Sequence, residues 1–502
     1  MRGLKRLGSI LLILLFVITG CQDMEEKPSQ RPTLIAEDTN HIDAQNLHQY
    51  NMDVIFMPEE ASIQVKQRVD YINHKEVALQ EIYFHLYPNN FRQKQTVPFL
   101  FNDFQRAYPE GFEPGYININ NVMINGEKAN YQLQGEGKTM MKISLSHGLA
   151  SGKSTRIDMT YEVKLPPATE RFGYGEDTFN FGNWYPIAAV YDNTGWNLDP
   201  YYPIGDPFYS DVSNYHVKID TPKDFIVAAS GNILKQEEKN NRNIWEVEAK
   251  FMRDFAWVTS KNFDVFQKDV DGTQLKMYFI QEESLKEEVK EWAVDAAENA
   301  LKIFNDSYGQ YPYGQYSVVA TNFPSGMEYP GIVFIGKQYY DMDWRDYLEI
   351  VIVHETAHQW WYGVVGNDEI DEAWLDESLT TYSEVIYAKE LFGENVAENY
   401  HRAANEDAYK EIAGDIENKA VLKSLNQFKG WEDYGVLVYS RGAMFLDTLH
   451  EKYGEKTFYK IMQTYYQNYR FKNATTKDFQ RVCEEITGEN QQEFFEQWLL
   501  AR

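Results

Sequence analysis

Cysteine is almost missing from this chain, with two in 502 residues. That excludes a disulfide-stapled scaffold and any zinc site built from thiolates. Histidine is scarce too, at ten, so two of them at a set spacing carry information. There is no internal repeat, no low-complexity tract and no long block of one charge sign. Lys+Arg 48 against Asp+Glu 76 gives a net charge of −28, which argues against nucleic acid as a partner and against electrostatic adhesion to anionic lipid. No apolar run is long enough to span a bilayer as a helix. The run from Ile10 to Ile18, preceded by Arg2, Lys5 and Arg6, has the size and flanks of a secretory signal core instead.

What remains is ample for large cores, since 43% of residues are hydrophobic and 15% aromatic. Residues 1–20 read as the signal, and the polar stretch 21–48, with two prolines, as a flexible tether. From 49 to 268 the dominant period is two. Ile157, Met159, Tyr161, Val163 and Leu165 alternate with polar residues, as do Ile63 with Val65 and Val217 with Ile219. This predicts an antiparallel β-sandwich or saddle without a catalytic cluster of its own. From 269 to 502 the pattern becomes α+β, then almost wholly helical. A strand is expected over 275–280, a helix over 284–308, strands near 316–322 and 332–335, and two helices over 343–363 and 371–393.

Those last two helices carry the chemistry. Composition alone would give H-E-x-x-H in about one such chain in fifty. His354 and His358 lie one helical turn apart, so both imidazoles can reach one ion while Glu355 points beside it. Two imidazoles and a carboxylate suit zinc, and Glu377, early in the following helix, is the best third ligand once that helix folds back. Three ligands leave a fourth position for water, and Glu355 is placed to take its proton. The expectation is one zinc per chain. Trp360, Trp361 and Trp374 are expected to be core, and Cys483 a core or half-buried thiol.

The set His354-Glu355-x-x-His358 with Glu377 resembles the gluzincin metallopeptidases, specifically the aminopeptidase N family. Trp374-Leu375-Asp376-Glu377, Ser325-Gly326-Met327-Glu328-Tyr329 and Tyr439-Ser440-Arg441-Gly442 are similar to further motifs of that family. The resemblance implies a thermolysin-like catalytic domain after the β domain, in a short form without the family's C-terminal helical domain. It implies that Glu328 binds the α-ammonium of a peptide substrate and that Tyr439 donates to the oxyanion. The residues alone would have left Tyr439 as a core side chain among Val436, Leu437 and Met444. Four positions depart from the pattern. Ser325, Asp376 and Ser378 replace a glycine, an asparagine and a glycine, and Tyr329 replaces an asparagine, which predicts a bulky ring along the substrate path.

Ile18-Thr19-Gly20-Cys21 is similar to the lipobox of bacterial lipoproteins, which implies that Cys21 carries lipid and holds the protein on the outer side of a bacterial membrane. The function expected is a zinc-dependent aminopeptidase acting on peptides. The alternatives are a thermolysin-like endopeptidase, a catalytically silent zinc-binding lipoprotein, and hydrolysis of a small epoxide or ester at the same zinc.

Overall fold

A computed structural model describes residues 31–36, 38–99 and 103–500. Cys21 and the signal segment lie outside them. The first half is built on an eight-stranded sheet of β1 (His48–Met57), β2 (Ser62–Ile72), β3 (Tyr116–Ile124), β4 (Glu127–Lys128), β5 (Ser154–Lys164), β6 (Ser213–Pro222), β7 (Asn232–Lys239) and β8 (Arg242–Met252). Its strand order is β7-β8-β6-β1-β2-β5-β3-β4. The alternation read from the sequence is the alternation of burial. Ile157, Met159, Tyr161, Val163 and Leu165 all face the core, and along β1 Tyr50, Met52, Val54 and Phe56 point in while Asn51, Asp53 and Ile55 point out. The sheet is mixed, however, and not antiparallel throughout. β1 runs antiparallel to β2, with Val54 opposite Val65, but parallel to β6, with Tyr50 opposite Tyr215. Single-strand periodicity is blind to the direction of the neighbour.

The second half opens with a five-stranded sheet of β9 (Phe263–Val270), β10 (Thr273–Ile280), β11 (Gln315–Thr321), β12 (Gly326–Met327) and β13 (Ile332–Gly336), in the order β9-β10-β11-β13-β12. Because β9 pairs along its length with β10, the change of class falls near 262 and not at 268. Helix α1 (Glu287–Tyr308) packs against α2 (Arg345–Ala357), and α2 against α3 (Trp374–Phe392). Trp360, Trp361 and Trp374 are fully buried between these elements, as is Cys483. Helix α2 is shorter than the pattern suggested. After His358 the chain turns tightly, Gly363 N–H donating to the His358 carbonyl at 2.8 Å and Tyr362 N–H to that of Val365 at 2.8 Å.

The tether expected over 21–48 also ends early. Ile35 N–H donates to the Pro312 carbonyl at 2.8 Å, Thr33 Oγ1 to Glu248 at 2.7 Å, and Asp38 pairs with Arg470 at 2.6 Å. This strap therefore lies across both halves. Arg253, at the end of β8 and fully buried, reaches the other way. Its guanidinium donates to Gly363 O, Val364 O, Lys472 O and, at 2.7 Å, to Asn473 Oδ1.

Candidate active site

Helix α2 presents His354 and His358 on one face, and α3 brings Glu377 against them. His354 Nε2 and His358 Nε2 are 3.1 Å apart, and each lies 3.3 Å from Glu377 Oε2. Three donor atoms at those separations outline one face of a tetrahedron whose centre is ~2 Å from each, the bond length zinc makes to nitrogen and oxygen. The far side of each ring is tied down. His354 Nδ1 lies 2.5 Å from Glu384 Oε1, and His358 Nδ1 faces Asp376 Oδ1. With Nδ1 the donor on each ring, both Nε2 lone pairs turn toward Glu377, as metal ligation requires.

The electrostatics agree with that geometry. Burial would raise the Glu377 carboxyl, yet hydrogen bonds from His354 and His358 hold it well below the usual carboxylate range. Burial would lower His354, yet Glu377 and Glu384 carry its imidazole up to about 10. The field at the meeting point of the three side chains thus favours positive charge, as a divalent ion supplies. The residues fit zinc in number, type and spacing.

Glu355 is buried beside the histidines. Burial pushes its carboxyl up to about 7, opposed by His354 and His358, which poises it for proton exchange near neutrality. It is seated by Gly326 of the edge strand β12, where an added Cβ would lie 1.8 Å from Glu355 Oε1. One residue beyond β12, Glu328 brings a carboxylate oxygen within 4.8 Å of both Glu355 and His358. Burial, then the neighbouring Asp206, raise the Glu328 carboxyl far above its ordinary value. Tyr439 sits on a π-helical turn, Gly435–Arg441, that runs into α4 (Gly442–Tyr453). Its hydroxyl donates to Glu377 Oε1 at 2.5 Å. These side chains line one cavity of about 570 Å³.

Tyr329 departs from expectation. Adjacent residues of extended chain point opposite ways, so while Glu328 faces the cavity Tyr329 is buried behind it. Its hydroxyl donates to Asn183 Oδ1 at 2.6 Å and lies under Gly182, where a Cβ would stand 2.0 Å from the Tyr329 hydroxyl oxygen. No ring obstructs the substrate path from this position. Ser378 is structural in the same sense, its hydroxyl donating to Val438 O at 2.6 Å.

The sequence reading missed four contributors. Glu384 lies seven residues after Glu377, two turns along the same face of α3, and that spacing was available as a signal. Asp376 stood out only as a departure from the family's pattern. Arg171 and Asp206 come from the β half, which was expected to hold no site residues, and line the cavity wall as a buried pair at 2.5 Å. No local pattern marks them.

Comparison with known proteins gives the same reading. Residues 292–498 match the Peptidase family M1 domain. Over 407 residues the chain is 21% identical to aminopeptidase N of Lactococcus lactis subsp. lactis, covering 76% of this chain and 46% of that one. Over 309 residues it is 22% identical to aminopeptidase M1-B of Oryza sativa subsp. japonica, covering 57% and 34%. The chain thus spans less than half the length of these relatives. Among solved structures, the M1 zinc metallopeptidase from Deinococcus radiodurans has the same fold, with a TM-score of 0.62 over 90% of this chain and 93% of that one at 16% identity. Residues 292–498 thus carry the match to the Peptidase family M1 domain, and in its motifs the chain is similar to the aminopeptidase N-like gluzincins, while the solved structure shares its fold.

Proposed function

We propose that the protein is a zinc-dependent aminopeptidase with a thermolysin-like catalytic half, releasing N-terminal residues from peptides. The observation that carries this is the placement of a buried Glu328 carboxylate within 4.8 Å of Glu355 and His358. An α-ammonium anchored there sets the first peptide bond over the donor triangle. His354, His358 and Glu377 would hold the zinc, which polarises the scissile carbonyl and acidifies the attacking water. Glu355 takes the proton from that water and returns it to the leaving amine. Tyr439 turns its hydroxyl from Glu377 to the developing oxyanion, a donor typically worth ~3 kcal/mol or more of barrier. One of the structural relatives is described bound to a Tyr-Ser-Ala substrate, which supports a peptide in the same cleft here.

Comparing an aminoacyl amide with its N-acetylated form tests the reading. The free amine should be cleaved much faster, and Glu328→Ala should lower its kcat/KM by ~2–5 kcal/mol, the cost of removing one partner of a desolvated charge pair. Equal cleavage of free and blocked substrates by the parent protein would transfer the activity to a thermolysin-like endopeptidase.

A lipid anchor at Cys21, holding the enzyme outside a bacterial membrane, belongs to the same proposal and rests on the sequence Ile18-Thr19-Gly20-Cys21. Among the described residues no helix is long and apolar enough to cross a membrane. Cys21→Ala should therefore move the protein from the membrane to the soluble fraction. Retention after carbonate washing would refute the anchor.

A further inference from the structure

Behind the donor triangle lies a second group that the peptidase reading does not use in full. Glu328, Glu369 and Asp376 each bring a carboxylate oxygen within 4.8 Å of the other two. Their exposures are 4%, 1% and 1%. Three carboxylates cannot share so small a volume out of water without compensation, because each lost its hydration on burial and repels the others.

The protein supplies only part of that compensation. Both oxygens of Glu369 lack a hydrogen-bond partner, as does Glu328 Oε1. Asp376 has a single described donor, His358 Nδ1. Arg253, whose positive charge acts on Glu369, commits its guanidinium to backbone carbonyls and Asn473 instead. Buried carboxylate oxygens in native proteins are almost always satisfied, and a fully buried Glu369 with two orphaned oxygens directed at two other carboxylates calls for a cation.

We propose that Glu328, Glu369 and Asp376 form a second metal site, separate from the zinc site, that takes a hard divalent cation of the calcium type. Oxygen-only ligation selects calcium or magnesium over zinc, which prefers nitrogen and sulfur alongside oxygen. The donor oxygens lie within 4.8 Å of one another, close enough to share one ion, and calcium's flexible coordination at ~2.4 Å suits such an irregular set better than the near-ideal octahedron magnesium demands. Held among these three carboxylates, the ion would fix the Glu328 side chain, which also lines the cavity. It is a structural and positioning ion and takes no part in bond breaking. The proposal stands on the cluster alone and survives even if the substrate is not a peptide.

The test uses the full folded protein, loaded with zinc and dialysed into metal-free buffer, with calcium chloride as the only added divalent salt. Equilibrium dialysis with elemental analysis should give one calcium per chain in addition to one zinc, and Tm should rise with calcium concentration. Glu369→Gln should lose both the calcium and the calcium-dependent rise while keeping its zinc. A parent protein that binds no calcium at millimolar concentration and shows no shift in Tm overturns the proposal, and the cluster then shares protons. Calcium bound equally by parent and Glu369→Gln also overturns it, since the ion would then lie elsewhere on this acidic surface. Should Glu369→Gln fail to fold, Glu369→Asp takes its place: its shortened carboxylate should weaken calcium binding and the calcium-dependent rise in Tm, and unchanged binding overturns the proposal. Absence of zinc from both proteins would count against the peptidase reading, not against this one.

Discussion

At the scale of single residues the site separates proton handling from metal holding, and two substitutions tell them apart. Glu355 touches neither Nε2 atom in the hydrogen-bond network, so Glu355→Gln is expected to keep zinc at one per chain while removing most of kcat. Glu384 works through His354, whose Nδ1 it holds at 2.5 Å. Glu384→Gln should therefore weaken zinc affinity by ~10–100-fold and restore kcat at saturating zinc. Elemental analysis and a zinc titration of activity check both, and the assignments are reversed if Glu355→Gln loses its metal. The convergence of His354, His358 and Glu377 was legible in the sequence because metal chemistry fixes both residue type and helical spacing. Glu384 left only its spacing from Glu377 as a signal and Asp376 only its departure from the motif, since a carboxylate on a helix is most often solvated and only the packing of α3 on α2 buries these two. Arg171 and Asp206 were out of reach, because what makes them site residues is the docking of one half of the chain on the other.

At the scale of elements, the edge strand β12 matters more than its two residues suggest. It ends the sheet beside α2, and Gly326 lets its backbone close on the Glu355 side chain. Gly326→Ala must push Glu355 aside, since the added carbon would lie 1.8 Å from Oε1 and 2.4 Å from Cδ. A fall in kcat is expected with little change in zinc content or Tm, because the side chain can give way while the fold does not. An unchanged kcat would mean that Glu355 acts from a different position. The helices were anticipated within a few residues, with one informative miss. The apolar pattern continued to Gly363, but α2 stops at Ala357. Burial of Trp360 and Trp361 in a tight turn is as apolar as burial in a helix, and periodicity over so few residues does not distinguish them. Likewise the parallel pairing of β1 with β6 joins residues 165 positions apart, at Tyr50 and Tyr215, and leaves no local trace.

Across the whole molecule the change from β to α+β composition suggests two bodies joined by a linker, yet Pro32 to Arg502 forms one compact unit. Arg253 is a main reason. Its fully buried guanidinium donates to Gly363 O, Lys472 O and Asn473 Oδ1 of the other half, and each acceptor left unpaired by its removal costs ~1–3 kcal/mol. Arg253→Met is expected to lower Tm by well over a few degrees, and calorimetry of the parent should show a single transition. Two resolved transitions would mean that the halves are energetically independent.

The strap formed by Thr33, Leu34, Ile35 and Asp38 bears on the order of synthesis. Its partners Pro312, Tyr313 and Arg470 leave the ribosome hundreds of residues later. This segment thus lacks part of its docking surface until residues near 470 exist, and its contact with Arg470 is the last to form. The two ends of the described chain are therefore joined late, by the pair of Asp38 with Arg470.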